Sequence, residues 1–230
     1  MENLAECKLF GDNNLILGKV LSEQELELLK KNSNIVRFEK NELIFRQGAR
    51  TQHIMILLSG LIKIYKAGSY DRVLILTLLN SGNFAGILSL MSDEKVFHFS
   101  ASTLAETEML YVDIETFRKI LYSNPEFSKQ VNHYICKFSI LTLERLSNIY
   151  YKQLPGRIAD VLLYFSEQIF QNNEFDFPLK RKELAQLAGT SKESFIRTLN
   201  EFKNDKIIDM QGRKVKINSI NLVKKLSEIG

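Results

Sequence analysis

The stretch between Pro125 and Pro155-Gly156 constrains the fold most. Pro125 suits the first turn of a helix, where a missing N–H costs nothing, and Pro155-Gly156 is a helix-breaking pair. Between them the sequence predicts one long helix over residues 125–154. Phe127, Val131, Tyr134, Phe138 and Leu141 recur at spacings of four and three, the heptad-like seam of a helix that pairs with a copy of itself. Ile135, Leu146 and Ile149 form a second stripe, expected against the chain's own N-terminal half. A single amphipathic helix inside a monomer is the alternative.

The sequence before this helix has strand texture. Short runs rich in β-branched and aromatic residues lie at 42–45, 54–58, 61–65, 73–79, 97–104 and 109–112, with Gly48, Gly60, Gly68, Gly82 and Gly86 punctuating them. Many short strands with regular turn signals predict a barrel or sandwich. Ahead of them, residues 21–33 read as a helix. Ser22 serves as N-cap, Glu25 completes a capping box, and Leu26 and Leu29 lie on the inner face.

After Pro155-Gly156, residues 157–170 read as a helix with Ile158, Val161, Leu162 and Phe165 on one side, followed by the polar loop Gln171-Asn172-Asn173. Residues 182–199 then follow the logic of a helix-turn-helix. Leu184, Leu187 and Ala188 give the first helix a small apolar face, and Gly189 supplies a permissive turn. Thr190 or Ser191 caps the second helix. On that helix Phe195, Leu199 and Phe202 fall at i, i+4 and i+7 and face inward. Lys192, Glu193, Ile196, Arg197 and Asn200 share the outward face. Arg197 has the donors for guanine O6 and N7, Glu193 accepts from cytosine N4, Lys192 reaches guanine or a phosphate, and Ile196 meets a thymine methyl. An i, i+4 salt bridge between Glu193 and Arg197 on a solvated face is the plainer alternative. Residues 206–217 read as a wing hairpin turning at Gln211-Gly212, with Arg213, Lys214 and Lys216 near phosphates, contacts that position without reading sequence.

Charge supports a polyanionic partner. The chain carries a net +4, but residues 178–230 alone hold +6 and the remainder −2. Such asymmetry fits double-stranded DNA on the C-terminal side, although a solvated lysine-rich surface gives the same count.

Other classes are disfavoured. Cys7 and Cys136 are too few for a disulfide framework or a four-thiolate cluster. The acidic start, Met1 to Glu6, lacks the pattern of a signal peptide, and no apolar run approaches the ~18 residues of a membrane span. A cytoplasmic protein without membrane contact is expected. No Ser-His-Asp set, metal-ligand spacing or phosphate loop points to an enzyme.

These residues resemble the cyclic-AMP receptor protein and fumarate-nitrate regulator (CRP/FNR) superfamily over nearly the whole chain. The resemblance rests on Gly156-Arg157-Ile158-Ala159, Gly189-Thr190-Ser191-Lys192-Glu193 and Arg197. It rests also on residues 41–48 and 58–65, on Gly82-Asn83-Phe84-Ala85-Gly86, and on Ser100-Ala101. It implies an α+β fold in three parts: an N-terminal cyclic-nucleotide-binding-like β-roll (1–124), a long dimerisation helix (125–154) and a C-terminal winged helix-turn-helix domain (155–230). It implies a homodimer reading an inverted repeat of TGTGA-like half-sites through Ser191, Lys192, Glu193, Ile196, Arg197, Asn200, Arg213 and Lys214, with RNA polymerase as a further partner. The two recognition helices would sit about one DNA turn, ~34 Å, apart. Lys192 stands where the family has arginine and lacks the planar fork.

The resemblance also places an effector pocket at Gly86, Ile87, Leu88, Phe99, Ser100 and Ala101. Cyclic-AMP binders of the family carry Gly-Glu-Leu and Arg-Ser-Ala there, with the glutamate on the ribose and the arginine on the phosphate. This chain has Gly86-Ile87-Leu88 and Phe99-Ser100-Ala101. A buried phosphate without a cation is costly, so the effector is expected to differ from cyclic AMP. Two cysteines exclude the family's iron–sulfur cluster. Haem on His53, His98 or His133 stays open, with His98 near the expected pocket mouth. So do an apolar small molecule and DNA binding without an effector. A ligand-binding module without DNA function is the rival class.

Overall fold

The computed structural model describes residues 20–50, 52–68, 73–90, 94 and 96–230. Met1 to Glu6 and Cys7 fall outside these. Two compact units emerge, one from residues up to 67 with 77–140, the other from 68–76 with 141–230.

In the first unit, α1 (Glu23–Lys31) starts with the capping box expected from the sequence: the Glu25 amide donates to Ser22 Oγ at 3.3 Å, and the Ser22 amide to Glu25 Oε2 at 2.8 Å. Its Leu29 is fully buried. The strands are β1 (Ser33–Phe38), β2 (Leu43–Phe45), β3 (His53–Ser59), β4 (Ile62–Ala67), β5 (Val73–Leu79, of which residues 73–76 belong to the second unit), β6 (Phe84–Ala85), β7 (Ser100–Thr103) and β8 (Thr107–Asp113), with the short helix α2 (Ile87–Leu90) between β6 and β7. They form two four-stranded sheets, ordered β1-β8-β3-β6 and β2-β7-β4-β5. Register follows the apolar pattern: Ile54 pairs with Val112 and Ile56 with Leu110, all four buried. A one-residue slip would turn these side chains outward. At Gly60, φ is +98°, and a Cβ would strike the Glu106 carbonyl and Thr107, so only glycine fits there.

β8 leads into α3 (Ile114–Ser123) and α4 (Pro125–Tyr151). Asn124 Oδ1 accepts from the Phe127 amide at 2.9 Å, capping α4 ahead of Pro125. The helix stops at Tyr151, before the expected proline break. Gln153 stands at the N-cap of α5 (Leu154–Leu163) without a side-chain cap bond, and Pro155 lies in its first turn, a position where proline is tolerated. Pro155 therefore opens the next helix instead of ending the last one.

α4 corrects the expected seam. Phe127 and Val131 are fully buried in the unit's own core, alongside Phe84, Phe117 and Leu121. Tyr134 packs on the same core, and Phe138 lines a cavity of that unit. These four face inward within one chain. Leu141 is 45% exposed. Leu146, assigned to the inward stripe, is exposed, while Ile135 does pack on the core. A spacing of four and three identifies an apolar face without saying whose surface covers it.

In the second unit, α5 runs on into a π-helical turn, Tyr164–Ile169. There follow β9 (Glu174–Asp176), α6 (Arg181–Leu187), α7 (Lys192–Asn204), β10 (Ile208–Gln211), β11 (Lys214–Ile217) and α8 (Ile220–Ile229). The sheet order is β10-β11-β9. Phe165, Phe175 and Phe177 meet at ring-centroid distances of 5.2–6.0 Å and are buried. The hairpin turns at Gly212-Arg213, one residue later than expected. Gly212 has φ +60°, which the first position of a tight hairpin turn demands.

Candidate nucleic-acid interface and effector cavity

α6, the turn and α7 form the helix-turn-helix. Leu184, Leu187 and Ala188 are buried, as are Phe195, Leu199 and Phe202 on α7. Ser191 Oγ accepts from the Ser194 amide at 3.1 Å, so the cap is Ser191 and its hydroxyl is engaged there. Lys192, Glu193, Arg197 and Asn200 are exposed, with Ile196 half-exposed beside them. The inward and outward faces of α7 divide as the apolar spacing predicts.

Three arginines, of which Arg157 alone lies in a run that carries the resemblance, hold this motif in place. Arg157 Nη1 donates to the carbonyls of Ala188 (3.2 Å) and Gly189 (2.7 Å). Arg145 donates to the carbonyl of Leu187 at 3.0 Å. Arg181 Nη2 reaches the Gly212 carbonyl at 2.6 Å, joining α6 to the wing turn. Burial, then the neighbouring Arg213 charge, holds the Arg181 guanidinium below its ordinary value. Gly189 has φ +62°, and a Cβ on it would lie 2.6 Å from Ile149 Cγ2 of α4.

The wing cations are engaged within the protein. Arg213 Nε and Nη2 donate to the Phe177 carbonyl at 2.8 and 2.6 Å. Lys214 Nζ pairs with Glu174 at 2.5 Å, which holds the Lys214 ammonium above its ordinary range and the Glu174 carboxyl below it. Lys216 is exposed on β11.

In the first unit, a cavity of about 30 Å³ is lined by Gly86, Ile87, Leu88 and Phe99, four of the six residues that the resemblance marks, together with Phe45, Ile64, Leu79, Phe84, Ser89, Tyr134 and Phe138. Ser100 and Ala101 are buried beside it in β7. The Ser100 hydroxyl accepts from the Gln47 amide at 3.0 Å, and Ala101 pairs with Phe45 and Ile64. The two polar side chains of the wall both make hydrogen bonds within the protein. Ser89 Oγ accepts from the His98 amide at 3.3 Å. The Tyr134 hydroxyl donates to Asn83 Oδ1 and accepts from the Phe84 amide. Burial pushes the Tyr134 phenol up to about 12. Phe97 stacks on Phe45 at 4.0 Å, and its ring would lie 2.8 Å from a Cβ on Gly86. The side chain of His98 lies 3.7 Å from Glu94, His53 packs on Tyr111, and His133 is exposed on α4. Among the described residues, no group of three or more His, Cys, Asp or Glu could hold a metal ion, and no helix is long and apolar enough to cross a membrane.

Comparison with known proteins agrees with this architecture. The cyclic nucleotide-binding domain model matches residues 35–124, and the Crp-like helix-turn-helix domain model matches residues 156–226. The cAMP-activated global transcriptional regulator CRP of Salmonella typhimurium is 23% identical over 206 residues, covering 87% of this chain and 97% of that protein. The CRP-like cAMP-activated global transcriptional regulator of Mycobacterium tuberculosis is 27% identical over 194 residues, covering 82% and 86%. Among solved structures, a putative transcriptional regulator of the crp/fnr family from Eubacterium rectale superposes with TM-score 0.77 at 17% identity, covering 94% of this chain and all of that one. FixK2 from Bradyrhizobium japonicum gives 0.76 at 15%, covering 84% and 96%. The Salmonella typhimurium, Mycobacterium tuberculosis and Eubacterium rectale proteins are named as transcriptional regulators. With a sensor-type β-roll, a long helix and a winged helix-turn-helix in that order, and with both family models matched, this chain belongs to the CRP/FNR superfamily of DNA-binding transcription regulators.

Proposed function

We propose that the protein acts in the cytoplasm as a homodimer reading an inverted repeat of TGTGA-like half-sites, under the control of an apolar effector other than cyclic AMP. One observation carries the DNA reading. Lys192, Glu193, Ile196, Arg197 and Asn200 stand together on the open face of α7, and Phe195, Leu199 and Phe202 anchor its opposite face. Arg197 matches guanine O6 and N7, Glu193 matches cytosine N4, and Ile196 offers an apolar surface to a thymine methyl. Arg213 and Lys214 stand at the wing, where phosphate contacts fix the pose. Acting at promoters brings RNA polymerase in as a further partner.

The exposed side of α4 supports the dimer. Cys136, Ile140, Leu143 and Tyr150 share a 4-3-7 spacing, and the last three are 56%, 62% and 83% exposed. Large apolar side chains repeating at this spacing on open helix surface suit a second copy of the same helix. For the effector, an aromatic and aliphatic wall in which the Tyr134 hydroxyl is bonded as donor and acceptor and Ser89 already accepts one bond favours an uncharged, apolar ligand. Among the described residues, this wall offers no cation to a cyclic phosphate.

Selection of duplexes from a random pool by the purified protein tests the reading, with Arg197→Ala as control. A palindromic motif that loses one base preference in the variant, at a cost of about 1–3 kcal/mol, is the expected result. A uniform loss over all sequences would reduce Arg197 to a phosphate contact, and no enrichment in the presence or absence of cell extract would refute sequence-specific binding.

A further inference from the structure

Arg145 lies half-buried on α4, far in sequence from everything it holds. Nη2 donates to the Leu187 carbonyl at 3.0 Å and to the Ile75 carbonyl at 3.1 Å, and Nη1 donates to the Leu76 carbonyl. All these partners are main-chain oxygens of the second unit. Leu187 is the last residue of α6, so its carbonyl belongs to the set that helix geometry leaves without an internal partner. It also sits at the negative end of the helix dipole, where a cation is favoured. The chain reaches the cap of α7 four residues later, at Ser191.

We propose that Arg145 is a positioning residue for DNA reading, fixing where α7 begins by tying the end of α6 to strand β5 and to α4. The guanidinium suits this task because its fork presents separate donors to separate segments. A lysine ammonium is a point charge on a shorter reach. Ile149, one turn further along α4, meets the same turn at Gly189, so the anchor is a rigid helix surface and not a mobile side chain alone. Burial holds the guanidinium below its ordinary value, the cost of desolvating a charge.

The inference rests on the DNA-reading function proposed above, and its test separates the two. Affinity is measured for the duplex enriched by the wild-type protein and for a scrambled duplex of equal length, at one salt concentration. Wild type, Arg145→Gln and Arg145→Lys are compared. Loss of position lowers binding to the enriched duplex, which needs base-edge geometry. It spares the scrambled one, which needs only charge. Arg145→Gln is expected to lose about tenfold on the enriched duplex and less than about twofold on the scrambled one, with Arg145→Lys in between. A role in folding alone would lower both affinities by the same factor, and that result, or unchanged affinities, overturns the inference. Should Arg145→Gln fail to fold, Arg145→Lys, which keeps the charge and most of the stem, decides. If the wild-type protein enriches no duplex, the DNA reading fails and the inference with it. If it does and the variants keep the full preference, only the inference falls.

Discussion

Gly189 joins two constraints in one residue. Its φ of +62° lies in the left-handed region, and a methyl group there would stand 2.6 Å from Ile149 Cγ2. An L residue in that conformation costs about 1–2 kcal/mol, and crowding a packed contact adds about 1–3 kcal/mol. Gly189→Ala is expected to destabilise the second unit by about 2–5 kcal/mol in denaturant melts. Adding Ile149→Ala should recover the steric share and leave the backbone share, and a double mutant no better than additive would dismiss the contact with Ile149. At this scale, legibility depended on sequence distance. The Ser22–Glu25 box, the Ser191 cap and the inward Phe195 and Leu199 lie within a helical turn or two of their partners, where spacing alone carries the information. Arg145, Arg157 and Arg181 bond to carbonyls between 31 and 70 residues away, and no local pattern marks such partners.

α4 shows what a periodic pattern does and does not contain. The helix, its proline start and its two apolar stripes were legible from spacing, while the surface that each stripe meets was not. Phe127 and Val131 turned inward because the β-roll core offers Phe84, Phe117 and Leu121 to cover them. Ile140, Leu143 and Tyr150 remain open. A charge at the middle of that open face should break a helix pair without touching the core. Leu143→Glu is therefore expected to shift the protein from dimer to monomer in sedimentation, with little change in the melting of a single unit. Val131→Glu should unfold the first unit instead. A Leu143→Glu protein that stays dimeric would move the interface elsewhere. β9 was missed for a related reason, since three residues with a single buried Phe175 carry no period to detect.

Across the whole molecule, the division into strand-rich, long-helical and helix-turn-helix parts was visible in the order of punctuation and periodicity. The cavity was visible only in part. Gly86 to Leu88 and Phe99 lie in segments that the family resemblance marks. Phe45, Ile64, Leu79, Tyr134 and Phe138 come from three strands and a helix that meet only after folding. Their chemistry leads to a negative expectation for the ligand of the named relatives. Calorimetric titration with cyclic AMP should show no saturation in the micromolar range, because among the described residues neither an acidic partner for the ribose nor a cation for the phosphate lines the wall. Saturable micromolar heat would reverse this assignment.

Lys214 meets Glu174 at 2.5 Å on the exposed face of the wing. Under the DNA reading proposed above, a phosphate arriving there competes with a tethered carboxylate and leaves Glu174 as an unpaired anion beside the duplex. The duplex still sheds its own condensed cations, so parting this pair weakens the grip of the wing without removing its dependence on salt.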